Sequence, residues 1–344
     1  MSIEDVAPIF ERINSTGTRL TIVDLMRAAT WSQDFDLIDA IDDVRAVLSE
    51  KGFADLDRKV ILRTMSAAAG GGFSVDSIGS LRKFGSEKLK KAALEAEEAY
   101  RLAVDFLSTQ IKIPSVAILP YANQIVVLAD LFRKLPKPSA EQYKEIHKWF
   151  WQTAASGYFS GWNTGMMASD KQAVIKFADG IAPNINVPSA VRPPVGIWSS
   201  RQFRGNGAHA KLIGILLAYH NPVDLLTGQV IEVSRALAWT NAKEYHHFFP
   251  KDFLKRKKVD SSKINCLANI IMLSSSSNKI ISNKSPSEYL PEVAKAAGAD
   301  LEKWLDSNLI TIEAYEAALN DDFELFLKLR ANIFDKAVNE LAHW

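Results

Sequence analysis

The chain has 344 residues, enough for two domains at ~150 residues each, and its 47% hydrophobic and 24% charged fractions are those of an ordinary globular protein. Lys+Arg 41 against Asp+Glu 40 leaves a formal net charge of +1, which excludes a uniformly basic coating protein but leaves room for a local nucleic-acid contact. A single cysteine, Cys266, excludes an internal disulfide and a Cys-rich zinc module; with no run of ~18 apolar residues and no basic-then-apolar leader, a cytoplasmic protein without membrane attachment is expected.

Most of the chain reads as helix. Apolar residues recur at spacings of three and four in 22–31 (Ile22, Leu25, Met26, Ala29), in 36–49 and in 57–69. Thr21 with Asp24 three residues on forms a capping pattern at the first of these. The three glycines of AAAGGGF, 67–73, end a helix. A long stripe follows over 86–107, through Leu89, Ala93, Ala96, Tyr100, Val104 and Leu107. Pro136 and Pro138 precede Ser139, an N-cap candidate with Gln142 at the box position. The aromatic helix beyond it (KWFWQTAASGYFSGW, 148–162) reads as core rather than as a base-stacking platform.

Residues 182–198 carry four prolines in 17 residues, as an interdomain linker or a long ordered loop would. Arg201, Arg204, His209 and Lys211 lie in SSRQFRGNGAHAK, a DNA-facing loop or an ordinary helix entry. Helices are expected at 207–219 and around 229–238. After residue 240 the texture changes to EYHHFFPKDFL, a basic loop, and the strand-length apolar run NCLANIIML, in which Cys266 reads as buried core. Residues 300–344 return to amphipathic helix, with Phe323, Phe326, Leu327, Leu329, Ile333 and Phe334 as core candidates. The expected fold is mainly α, with one small ββα unit embedded at about 244–291.

The chemistry concentrates in that unit. Adjacent residues of a strand point to opposite faces, so His246 and His247 serve one site only if the backbone turns at the strand end, before Pro250. Asn269 stands 22 residues past His247, Asn278 nine further and Asn283 five beyond that. The loop KDFLKRKKVDSSK places Lys251, Lys255, Arg256, Lys257 and Lys258 in eight residues, with Asp252 opposing. Such a run is a solvated loop or, beside a phosphodiesterase site, a phosphate track. A neutral imidazole near its ordinary pKa of ~6.5 can take a proton from water at physiological pH, which is what phosphodiester hydrolysis requires.

This pattern resembles the HNH, or His-Me finger, nuclease motif. HFFP followed by NCLANIIMLSSSSNKIISNKSPSEYL is similar to the nuclease domain of GmrSD-type modification-dependent restriction enzymes, in which Asn commonly replaces the last histidine. The resemblance implies His247 as general base, His246 and Asn278 as metal ligands, and Asn269 as the residue holding His247 in its productive tautomer. It implies Mg2+, or another divalent cation such as Mn2+, and DNA as partner and substrate. Asn283 is a phosphate-contact candidate, or a helix-terminal polar residue.

Residues 9–31, IFERINSTGTRLTIVDLMRAATW, resemble the end of the ParB-like nucleotide-using domain that precedes the nuclease domain in that family. The DGQQR-like motif of that domain does not occur in this sequence, so nucleotide hydrolysis is not expected. The chain is then the carboxyl-terminal part of a longer protein, or the product of a shortened gene, with an upstream ParB-like domain or subunit as a partner. The expected domains are 1–31, the remnant of a ParB-like domain; 32–198, helical; and 199–344, a helical nuclease domain. The function implied is a metal-dependent DNA endonuclease restricting foreign or modified DNA. The alternative is a catalytically silent, DNA-binding or regulatory fragment of one.

Overall fold

The computed structural model describes residues 20–231 and 245–344. The chain is mainly α-helical, and a two-stranded antiparallel sheet stands among the helices. No helix among the described residues is long and apolar enough to cross a membrane.

Two compact units arise, and the chain leaves and re-enters each. One comprises the described residues up to Asp105 with Ala122–Ala140 and Gly161–Asn186. The other comprises Phe106–Tyr121, Glu141–Ser160 and the described residues from Val187 onward. Contiguous segments such as 32–198 do not reproduce these bounds, because helix packing sorts pieces remote in sequence. One boundary does fall in the proline-rich stretch, at Asn186–Val187.

In the first unit lie α1 (Ile22–Thr30), α2 (Leu37–Val47), α3 (Arg58–Ala68), α4 (Val75–Gly79), most of α5 (Ser86–Thr109), α6 (Gln124–Lys134) and α8 (Thr164–Ala178). The capping pattern forms at α1. The Thr21 hydroxyl accepts the Asp24 N–H at 3.3 Å, and the Asp24 carboxylate accepts the Thr21 N–H at 2.8 Å. Asp36 and Asp57 cap α2 and α3 by accepting the N–H groups of Ile38 and Lys59 on their side chains. The glycine run stops the third helix, where Gly70 takes φ +100°, a conformation that suits glycine. At the centre, α6 is buried from Gln124 to Phe132. Its buried Asp130 is matched by Arg133 at 2.9 Å and by Lys171 of α8 at 2.8 Å, which keeps that carboxylate from being an unpaired interior charge.

The second unit takes most of α7 (Ala140–Ser156), then α9 (Ile197–Ser200), α10 (Ala208–Tyr219), β1 (Tyr245–His247), α11 (Lys251–Arg256), α12 (Ser261–Ile264), β2 (Ile270–Met272), α13 (Ser275–Ile281), α14 (Pro286–Ala297), α15 (Leu301–Ser307), α16 (Ile312–Leu319) and α17 (Phe323–Ala342). Trp149, Phe150, Trp151 and Phe159 are buried, as a core reading requires. Along α17, Phe323, Phe326, Leu327 and Phe334 are buried while Leu329 and Ile333 stay half-exposed, and Arg330 occupies the core position between them. The basic segment after His247 is not a loop: it folds as α11 and α12, with Phe253, Leu254 and Ile264 turned into the core. A helix around 229–238 and the pattern of residues 9–19 fall largely on positions outside the described residues.

Candidate active site

The site grows from the end of β1. Tyr245, His246 and His247 pair with Met272, Ile271 and Ile270 of β2. Phe248 and Phe249 then leave the strand and bury their rings against α17. Phe248 stacks on Phe326 at 4.5 Å between centroids, and Phe249 lies 5.1 Å from Phe323. Burying two consecutive aromatic residues bends the backbone out of the ladder. Pro250, which has no N–H, follows at the entry to α11.

Asn269 holds this bend. Its side-chain oxygen accepts the Phe249 N–H at 2.9 Å, and its amide nitrogen donates to the Phe249 and Ile264 carbonyls at 3.2 and 2.9 Å. The residue is fully buried and its amide is committed to backbone, so it does not reach His247. The expected role of Asn269 is corrected accordingly. The register places His247 opposite Ile270, which directs the preceding Asn269 toward Phe249.

His247 is instead held by Asn265, which was absent from the expected site. The His247 Nε2 lies 3.0 Å from the Asn265 Oδ1. The Asn265 Nδ2 donates to the Ser261 carbonyl at 2.9 Å, which fixes the amide so that its oxygen faces the imidazole. Nε2 therefore carries the proton and donates, and in the neutral ring Nδ1 keeps the lone pair. Burial pushes the His247 pKa below its usual value; the Asn265 contact raises it, and the positive charge of Lys251 lowers it further, with burial prevailing. The imidazole is thus neutral at physiological pH.

Beyond β2, α13 brings up the third element. His246, His247, Lys251, Asp252, Asn278 and Asn283 all line one open cavity of about 470 Å³. Both histidines reach it because the chain turns at His247 rather than continuing as a strand. Lys251 is the member of the basic set that reaches the cavity. Lys255 pairs with Asp252 at 3.3 Å, and Arg256 donates to the Asn283 carbonyl at 3.1 Å. Lys257 and Lys258 are exposed at the end of α11, with Lys257 5.7 Å from the Phe253 ring centroid. Asp252 is the one acidic side chain on the cavity wall among the described residues.

Asp224 anchors α13 from outside the motif. Its buried carboxylate accepts the Ser274 N–H at 2.8 Å and the Ser277 hydroxyl at 2.7 Å, together with the N–H groups of Leu226 and Thr227. Fifty residues separate Asp224 from Ser274, so no local pattern announces it. Burial by itself would raise its pKa, but the hydrogen bonds from Ser277, Ser274 and Leu226 outweigh that and hold it below the usual 3.8. Asp224→Asn is expected to destabilise the chain by about 1–3 kcal/mol at pH 7 in urea unfolding. Because the folded pKa is the lower one, the difference should persist from pH 7 to the unfolded pKa of ~3.9 and shrink as the pH falls through the folded value. Equal midpoints at pH 7 would show that Asp224 does not anchor the helix.

The donors around the cavity are an imidazole, an amide oxygen and a carboxylate. Such a set fits a hard divalent cation that keeps several water or phosphate positions. Among the described residues no three His, Cys, Asp and Glu side chains gather as a metal-ligand group, so any cation here would lean on His246 and Asn278.

No protein-family model matches the chain. It is similar to an uncharacterized protein, MJ0686, of Methanocaldococcus jannaschii: 25% identical over 389 aligned residues, covering 98% of this chain and 62% of that protein. The chain thus spans less than two thirds of the length of that relative.

Proposed function

We propose that the chain is a metal-dependent DNA endonuclease of the HNH, or His-Me finger, kind, with β1, β2 and α13 as its ββα unit. Its role would be the restriction of foreign or modified DNA. The observation that carries the reading is the convergence of His246, His247 and Asn278 on one cavity, although the three come from a strand end and a helix 31 residues later.

In this mechanism Nδ1 of neutral His247 takes a proton from the attacking water, while Asn265 holds the ring through Nε2–H. Attack at phosphorus releases the 3′ oxygen and leaves a 5′-phosphate. Lys251 stands on the same wall as a positive charge for the phosphate oxygens. His246 and Asn278 would hold Mg2+ or Mn2+, whose charge would stabilise the negative charge developing on the phosphate and the leaving oxygen. An upstream ParB-like domain or subunit remains part of the proposal as a partner.

Supercoiled plasmid should be nicked in Mg2+ or Mn2+ and left intact in excess chelator, with His246→Ala demanding more metal for the same rate. Nicking that persists in chelator would sink the metal-dependent reading. Salt-sensitive DNA binding with no cleavage under any metal would favour the silent-fragment alternative.

A further inference from the structure

A second, larger cavity lies in the same unit, with a volume of about 1170 Å³. Arg192, Arg201 and Arg204 stand on its wall beside His209, Tyr121 and Ser160, and no Asp or Glu lines it among the described residues. Arg192 is paired with Asp335. Arg201 and Arg204 are exposed, and neither guanidinium makes an ion pair or hydrogen bond among the described residues. Two guanidinium groups that no carboxylate neutralises among the described residues set up a positive potential on this wall. Their planar donor forks match phosphate oxygens better than any neutral ligand. Burial and the nearby Arg201 push the His209 pKa down to about 4, so His209 stays a neutral hydrogen-bonding group at pH 7.

This cleft is tied to the catalytic module through backbone. The Leu267 N–H donates to the Arg201 carbonyl at 3.0 Å and the Phe203 N–H to the Asn265 carbonyl at 2.7 Å, with Gln202 and Cys266 forming a bridge between them. The Phe203 ring lies 5.0 Å from that of Tyr245, the neighbour of His246. The segment Asn265–Leu267 therefore carries the arginine stretch on its backbone and His247 on the Asn265 side chain.

We propose that the Arg201–Arg204 cleft is a second phosphate-backbone site, holding the DNA strand away from the phosphate at which His247 acts. The choice of DNA as ligand rests on the nuclease reading; the capture of phosphate by the two arginines does not. A cavity of this volume exceeds what a single phosphate fills, which favours a run of backbone over a free ion.

The test is fluorescence anisotropy of a labelled duplex against the full chain in chelator, where cleavage plays no part, across a salt series. Arg201→Glu with Arg204→Glu changes two exposed positions, and the melting curve should stay that of wild type. The double variant is expected to bind DNA about 10-fold or more weakly, with a log–log salt slope smaller by about two. Unchanged affinity and slope in the variant would overturn the proposal even if plasmid nicking is observed. Weakened binding would uphold it even if nicking is never observed. Loss of ATP binding in the variant, with DNA binding unaltered, would likewise overturn it in favour of a nucleotide pocket.

Discussion

Replacing His247 with alanine is expected to lower plasmid nicking by about 10²–10⁴-fold, the range over which a positioned general base contributes. DNA affinity in chelator and the unfolding midpoint should stay close to wild type. The expectation follows from the tautomer. Asn265 is fixed by the Ser261 carbonyl, so its oxygen accepts Nε2–H and Nδ1 keeps the lone pair. Burial holds the ring neutral, so that lone pair is present at pH 7. His247→Gln restores volume and a hydrogen bond but no base, and should be as slow as His247→Ala. Asn265→Ala leaves the base in place but frees the ring, so its loss should be smaller. Full activity in His247→Ala would remove His247 as the base, whatever happens to binding.

The largest stability effect is expected at Arg330. Its guanidinium is wholly buried and has no carboxylate partner among the described ion pairs; it donates to the Ala268 carbonyl at 3.1 Å and the Asn308 carbonyl at 3.2 Å. It also lies 5.9 and 5.0 Å from the rings of Phe326 and Phe334. Burial pushes its pKa down to about 9, which still leaves it charged at neutral pH. The side chain thus props the turn Leu267–Asn269 that leads into β2 and positions Asn269 against the bend after His247. Arg330→Ala removes both hydrogen bonds, orphans two buried carbonyls and opens a cavity, for an expected loss of about 3–5 kcal/mol. Arg330→Met keeps much of the volume and no longer buries a charge, so its loss should be nearer about 1–2 kcal/mol. Equal midpoints for wild type and Arg330→Ala in urea unfolding would show that the turn stands without this prop.

Cleavage and stability should separate across these variants. Under the proposed function His247→Ala should affect the chemistry with little effect on the fold, because its ring contributes one side-chain hydrogen bond at a cavity edge. Arg330→Ala touches the fold first, and nicking should fall with the folded fraction.

Helix positions were legible from spacing because an amphipathic stripe and its caps are local properties. The expected stretches 22–31, 57–69 and 207–219 correspond to Ile22–Thr30, Arg58–Ala68 and Ala208–Tyr219. The basic segment was less legible, since a run of lysines masks the two apolar residues, Phe253 and Leu254, that turn it into a buried-face helix. The pairing of His247 with Asn265 was not legible at all. Asn265 and Asn269 are equivalent as letters, and only the strand register, with His247 opposite Ile270, decides which amide meets the imidazole and which meets the Phe249 backbone.

The sequence by itself determined the helical class, the Thr21–Asp24 capping box, the burial of Cys266 and the choice of His246, His247 and Asn278 as a candidate set, because propensity, periodicity and residue chemistry act over a few positions. Only the tertiary structure decided how a balanced charge of +1 is distributed. Packing sets Arg201 and Arg204 on a wall that no carboxylate lines among the described residues, while Asp224 and Arg330 are drawn inward to anchor a helix and a turn. The Asp224–Ser274 and Arg330–Ala268 contacts join residues 50 and 62 positions apart, and their energies arise from desolvation and hydrogen bonding that exist once the chain is folded.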